Sequence, residues 1–320
     1  MSQYASKFAD RMAEYMAFRK SLGFSDHHAK VLKRFDSYCA QFQPNATELT
    51  KEVVRGWFDY ELKISSRNLS DRCTVIRSFA KYIGGASYIL PTDCVPKKKA
   101  FIPYIMNDGE LFSFFNAVDN YHCDNDPFVG ITFSVLLRLI YSCGLRPREG
   151  RILKTADIDF TTGELFIRKS KRQKDRIVVV SDDMLELLKE YRFKRSLWAD
   201  SEEEIFFIDG FSQPPKPDKV LRHVKCCWIS ANPGIPVENL PKIRPYDLRH
   251  RFASELLQRW IDEGKELYAM LPYMRTYMGH GRFEETAYYI HLLPDRLVSS
   301  PGVDWNAIDR VGLEEDIWDS

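Results

Sequence analysis

Long apolar runs are missing from this sequence. The greasiest stretch, residues 128–141, is broken by Ser134 and Arg138, and a spanning helix needs about 20 consecutive apolar residues, so no membrane span is expected. The opening residues, MSQYASKFADRM, contain no apolar segment of the kind a secretory leader carries. There is no CxxC pair; the seven cysteines are odd in number and Cys226 and Cys227 are adjacent. Reduced thiols in a cytoplasmic protein are expected, with neither a disulfide framework nor a zinc site. Neither GxGxxG nor GxxxxGK[ST] occurs, which argues against nucleotide-driven chemistry. Internal repeats are lacking, and Gly and Pro are ordinary at 16 each, so solenoids and collagen-like chains are excluded. No Asp/Glu/His cluster has metal-ligand spacing.

What is present is a 320-residue chain, 44% hydrophobic and 13% aromatic, enough for about two domains with cores of their own. The net charge of +1 conceals sorting along the chain. Residues 1–100 carry 17 Lys+Arg against 10 Asp+Glu, a net of +7, which leaves 29 against 35 in the remainder. Within that acidic remainder, residues 168–176 (RKSKRQKDR) pack six basic residues and one acidic. The last twenty residues hold six acids and one Arg. Local basic patches on a neutral chain suit a polyanion met by particular faces; solvated helix exteriors are the plainer alternative.

Hydrophobic spacing predicts four helices in residues 1–92, near 8–22, 28–43, 50–64 and 68–83. Residues 93–104, with Pro96, Pro103 and the run Lys97, Lys98, Lys99, read as a basic linker. A second domain, 105–300, opens with helices near 108–118 and 128–143. Period-two stretches at 156–160, 164–168 and 176–180 then predict three strands, the first two joined at Thr161-Thr162-Gly163. Helices resume at 182–193, 217–230, 246–263, 266–278 and 284–292. The expected class is mainly α with a small antiparallel β-sheet, followed by an acidic tail at 301–320.

Four segments of the second domain carry polar residues that a bland fold does not need. Gly144-Leu145-Arg146-Pro147-Arg148-Glu149 puts an arginine in a tight turn, and residues 169–176 place lysines between two strands. Arg244-Pro245-Tyr246-Asp247-Leu248-Arg249-His250 opens a helix, and Met278-Gly279-His280 precedes one bearing Tyr288, Tyr289 and His291. Two guanidiniums can grip a phosphodiester and neutralise charge building on its oxygens. A phenolate can form a covalent phospho-intermediate, and a lysine ammonium can protonate a departing alkoxide. The set is a toolkit for metal-free, cofactor-free phosphoryl transfer.

At these segments the sequence resembles the tyrosine recombinase (phage integrase) family, with the Pro-Tyr-Asp-Leu-Arg-His form resembling recombinases of transposable elements. Gly144-Leu145-Arg146 with Glu149 fits the family's GLRxxE box. Residues 170–176 align with its GKGxKxR-like hairpin stretch, which makes Lys171 the matching lysine, with Lys169 and Lys174 close enough to compete. Residues 246–253 match HxLRHxFA, and Met278-Gly279-His280 through Thr286, Tyr289 and His291 match LGHxxxxxTxxYxH. The resemblance covers residues 105–293.

The resemblance implies an enzyme in which Tyr289 attacks the scissile phosphate and forms a 3′-phosphotyrosyl link. Arg146, Arg249 and His280 would stabilise the transition state and Lys171 would protonate the leaving oxygen. Glu149 would orient Arg146 or the neighbouring helix and need not touch DNA. Tyr246 departs from the family, which has a histidine there; a phenol with a pKa of about 10 can donate to the phosphate but is a poor base at neutral pH. Tyr288 lies about 100° from Tyr289 around a helix and cannot share its role. Lys97, Lys98, Lys99, Lys169, Arg172 and Lys174 are candidate DNA-backbone contacts. Double-stranded DNA is the expected partner, with self-association into a synaptic tetramer, partner recombinases as an option, and a tail that packs on a neighbouring protomer or on its own domain. Two other readings stay open: strand relaxation of the type IB topoisomerase kind, and a DNA-binding protein whose active site is degenerate, which Tyr246 favours. A metal-dependent nuclease lacks its carboxylate pairs.

Overall fold

Helix boundaries follow caps written into the sequence. In a computed structural model, which describes residues 4–24, 26–65, 68–95, 103–122, 127–168, 175–198, 204–210 and 212–292, the chain divides into unit 1, residues 1–100, and unit 2, residues 101–320. Unit 1 contains α1 (Ala9–Ser21), α2 (His27–Phe42), α3 (Lys51–Ile64) and α4 (Leu69–Ile83). Thr50 caps α3 by accepting the Val53 N–H at 3.3 Å, and Gly84 ends α4 at φ +70, a conformation that costs glycine little. The apolar faces meet around Phe8, Leu32, Phe35, Trp57 and Phe79, all fully buried. Trp57 packs edge-on against Phe35 at 5.5 Å. The Glu61 carboxylate, 1% exposed, is held by Arg34 at 2.9 Å and Arg72 at 2.7 Å; a buried carboxylate persists only when so paired.

Unit 2 contains α5 (Asp108–Asp119), α6 (Pro127–Ser142), α7 (Pro147–Arg151), β1 (Glu164–Ile167), β2 (Arg176–Val179), α8 (Asp182–Ser196), α9 (Pro217–Ala231), α10 (Pro245–Asp262), α11 (Leu267–Met278) and α12 (Glu284–Ala287). Among its buried core residues are Leu136, Leu137, Leu139 and Ile140 of α6, and α5, α8 and α10 pack against that helix. The two polar interruptions of the apolar run stand one turn apart and share one partner. Ser134 donates to Asp119 at 2.8 Å and Arg138 pairs with the same carboxylate at 2.6 Å. Among the described residues no helix is long and apolar enough to cross a membrane.

The class is mainly α with a small antiparallel sheet, as expected, but the sheet has two strands among the described residues. β1 and β2 pair with Glu164 opposite Val179 and Ile167 opposite Arg176. The strand expected at residues 156–160 does not form. Thr155–Asp157 is a 3-10 turn, and only Ile158 makes a bridge, to Leu165. The Asp159 carboxylate accepts the Thr161 and Thr162 N–H groups at 2.7 and 3.1 Å, which bends the chain in place of extending it. The helix expected over 284–292 also changes character: it is α only to Ala287 and 3-10 from Tyr288 to Leu292. Three residues per turn then put Tyr288 and Tyr289 about 120° apart.

Candidate active site

Two helices of unit 2 open with the same local device. Arg146-Pro147-Arg148-Glu149 and Arg244-Pro245-Tyr246-Asp247 each place proline in the first turn, where its missing N–H costs nothing. The acid two residues beyond the proline reaches back to the arginine's backbone N–H, Glu149 at 2.9 Å and Asp247 at 2.8 Å. The turn before the first of them needs Gly144, at φ +57. A Cβ there would stand 2.7 Å from Phe252 Cε1 and 3.0 Å from Met278 Sδ. Gly144→Ala is therefore both strained and overpacked, and it should cost about 2–3 kcal/mol, read as a fall in the midpoint of thermal unfolding.

The arginines are fixed by backbone oxygens. Arg146 Nη2 donates to Gly279 O at 2.6 Å and its Nη1 to Glu149 at 2.8 Å. Arg249, on α10, is completely buried. Its Nη1 donates to Gly144 O at 2.6 Å and its Nη2 to Met278 O at 2.7 Å. Arg249 Nε is buried with no hydrogen-bond partner among the described residues.

His280 follows Gly279, the left-handed C-cap of α11. Its Nε2 lies 2.9 Å from Arg249 Nη2 and its Nδ1 2.8 Å from Thr286 Oγ1. An arginine only donates, so Nε2 accepts. The ring proton is thereby assigned to Nδ1, which donates to Thr286, and the imidazole is neutral.

Tyr289 is completely buried. Its ring stacks on His280, with centroids 5.8 Å apart and planes 12° apart, and lies 5.4 Å from His250. Burial pushes the phenol above its ordinary range, while the nearby charges of Arg249 and Arg146 pull it back. His250 is pushed down to about 3 by burial, with the charges of Arg244 and Arg249 adding to it, so it is neutral at any working pH. Tyr246 is half-buried, 5.1 Å from the His250 ring and with the Arg249 guanidinium 5.9 Å from its own. Tyr288 is also half-buried, its ring 6.4 Å from that of His250 and 6.1 Å from that of Tyr289 at 72° to it.

Arg146, Arg249, His280, Tyr289 and, at the rim, Tyr246 thus come together. Lys171, Lys169, Arg172 and Lys174 lie outside the described residues, as do Lys97, Lys98, Lys99 and the acidic tail. Among the described residues no three His, Cys, Asp or Glu side chains gather as metal ligands.

Sequence reasoning missed Arg176, the first residue of β2. Its Nη1 and Nη2 donate to the two Glu149 oxygens at 2.9 and 2.8 Å, and its Nε to Tyr277 O at 2.8 Å. Burial pushes the Glu149 carboxyl up, but hydrogen bonds and charge from Arg176, then Arg249 and Arg146, overcome it and hold the group at about 2. The signal was a strand register: Arg176 shares a face with Val178 and Val180, which are buried. An arginine in an inward register needs an anion, and Glu149 was the one the first box supplied.

Two guanidiniums, an imidazole and a buried phenol are thus gathered in unit 2. Residues 120–296, more than half of the chain, match the phage integrase family, and the chain belongs to it. It is 28% identical over 303 residues to y4rE, a candidate integrase/recombinase of Sinorhizobium fredii, covering 91% of this chain and 93% of that one. It is 24% identical over 309 residues to tyrosine recombinase XerD of Rickettsia conorii, covering 92% and 95%. Among solved structures, the XerH site-specific recombinase bound to palindromic difH substrate in a post-cleavage complex shares the fold. The TM-score is 0.63 at 20% identity, covering 84% of this chain and 76% of that one.

Proposed function

We propose that this chain is a site-specific DNA recombinase that cuts and rejoins double-stranded DNA through a 3′-phosphotyrosyl link, without metal or ATP. The convergence of Arg249 and His280, 2.9 Å apart, with the Tyr289 ring stacked on that imidazole, carries the reading. The Tyr289 oxygen attacks phosphorus, the phosphorus–5′-oxygen bond breaks, and Lys171 protonates the departing oxygen. A 5′-hydroxyl from a second duplex then attacks the link, returns the phenol and reseals the strand. Bond energy is kept throughout, so no external energy source is needed.

Arg146 and Arg249 offset the charge that builds on the nonbridging oxygens. His280 Nε2 accepts a hydrogen bond in the free protein. It can donate to phosphate only after gaining a proton, and taking that proton from the Tyr289 phenol accomplishes both at once. This relieves Tyr246 of the base's role and leaves it a hydrogen-bond donor. Residues 1–100, at net +7 with Lys97, Lys98 and Lys99 included, together with Lys169, Arg172 and Lys174, supply sequence-independent phosphate contacts. Exchange takes place in a tetramer assembled on DNA.

Covalent trapping tests this reading. The protein is incubated in EDTA with candidate element-end DNA carrying a nick near the cleavage point, and SDS-resistant adduct is measured. Wild type and Tyr288→Phe are both expected to form adduct. Its loss in Tyr288→Phe alone would move the nucleophile by one residue. Tight binding to a validated site without adduct in wild type would favour the binding-only reading, with Tyr246 the first suspect.

A further inference from the structure

The geometry points to Arg176 as a positioning residue for DNA cleavage: it locks the Glu149 carboxylate so that Glu149 can aim Arg146 at the scissile phosphate without neutralising it. The inference rests on the reading of the site proposed above. Arg176, 7% exposed, is no more buried than Arg249 or Tyr289; what keeps it from DNA is that its fork is already occupied. All three of its nitrogens are spent inside the protein, on the two Glu149 oxygens and on Tyr277 O.

Each Glu149 oxygen carries two hydrogen bonds. Oε1 accepts from Arg146 Nη1 and Arg176 Nη1 at 2.8 and 2.9 Å, and Oε2 from the Arg146 backbone N–H and Arg176 Nη2 at 2.9 and 2.8 Å. A carboxylate held at both oxygens from two sides cannot rotate. Arg146 inherits that fixity through its bond to Oε1, and its second anchor is Gly279 O.

The charges matter as much as the geometry. Arg146 and Glu149 alone would make a neutral pair, with little attraction left for a phosphate. Arg176 brings the trio to +1, so Arg146 keeps its pull on the anion. Space for the fork is made by a residue of a different box: a Cβ on Gly279 would lie 2.9 Å from Arg176 Nη1 and 3.2 Å from its Cζ. The glycine before His280 therefore serves the first arginine box as well as its own helix cap.

The test separates rate from binding. Single-turnover cleavage of a nicked duplex is measured at saturating protein, with Kd on the same duplex by fluorescence anisotropy and the thermal midpoint of each protein. The proteins are wild type, Arg176→Met, Arg176→Lys, Glu149→Gln and the double variant Arg176→Met with Glu149→Gln. Arg176→Met is expected to cleave about 30-fold or more slowly, with Kd within about threefold of wild type. Arg176→Lys, which keeps the charge but reaches one oxygen where the fork reaches two, is expected about 3–10-fold below wild type. The double variant is expected to cleave faster than Arg176→Met alone, because glutamine no longer neutralises Arg146. A double variant no faster than Arg176→Met, with rates that simply track the thermal midpoints, overturns the inference and leaves a structural role. Should Arg176→Met fail to fold, Arg176→Lys decides: cleavage at the wild-type rate overturns the inference. An active wild type beside an equally active Arg176→Met overturns the inference alone, whereas a wild type that forms no adduct overturns the reading of the site and this inference with it.

Discussion

A Tyr289→Phe protein binds its DNA site and forms no covalent adduct. Phenylalanine keeps the ring that stacks on His280 and packs by His250, so the core around it survives and only the reacting oxygen is lost. Tyr289 is fully buried and its hydroxyl is hydrogen-bonded with Arg249, so removing it should cost about 1 kcal/mol and lower the thermal midpoint slightly. Tyr288, about 120° away on the 3-10 turn, is not expected to take over. The expected loss is at least about 10⁴-fold, the scale on which removing a covalent nucleophile is felt. Gel quantitation of SDS-resistant adduct on a nicked duplex measures it, and DNA affinity within about threefold of wild type shows that the site remained assembled.

Arg249 should give the second large effect, and in it stability and rate separate. Arg249→Ala strips partners from Gly144 O, Met278 O and His280 Nε2 together and leaves a cavity in a fully buried position. Leaving those buried acceptors without donors costs about 1–3 kcal/mol each and the cavity adds to it, so the unit containing it should melt well below wild type. Arg249→Lys keeps a cation and much of the volume. A lysine cannot reach two carbonyls, an imidazole and a phosphate with one fork; adduct formation should fall about 10²–10³-fold, the usual price of one transition-state donor, while the thermal midpoint drops less than in Arg249→Ala. Differential scanning fluorimetry and single-turnover cleavage on the same preparations read the two effects. A lysine variant at the wild-type rate would remove Arg249 from the transition state.

Much of the site could be read from spacing, because its residues sit in short segments whose local chemistry fixes them. Gly144 must turn with positive φ, Pro147 and Pro245 must begin helices, and Gly279 must end one; the arginines and His280 follow at set offsets. The four-helix first unit was legible for the same reason, with Thr50 and Gly84 marking ends that the structure respects. What escaped depends on contacts between distant segments. Arg176 appeared as one of six cations in a charged run and as the last residue of the hairpin stretch; its register with Val178 and Val180 marks it as inward-facing, but only the fold shows that its partner is Glu149. The false strand at 156–160 had the right alternation, but Asp159 captured the two following N–H groups and the turn began early. The tightening from α to 3-10 at Tyr288 is a matter of packing against α10 and α11, which periodicity cannot register.

The carbonyls of Gly144, Met278 and Gly279 have an evolutionary consequence. They hold both arginines through the main chain, so side chains at such positions can drift without disturbing the grip, provided the backbone path survives. Met278 stands where the resembling motif carries leucine, and the exchange is silent for Arg249 because the donor meets an oxygen that every residue possesses. A saturation library over this loop should therefore accept only apolar residues of similar volume at the fully buried position 278 and be least tolerant at Gly144 and Gly279, a pattern in which the most exacting positions are those with no side chain at all.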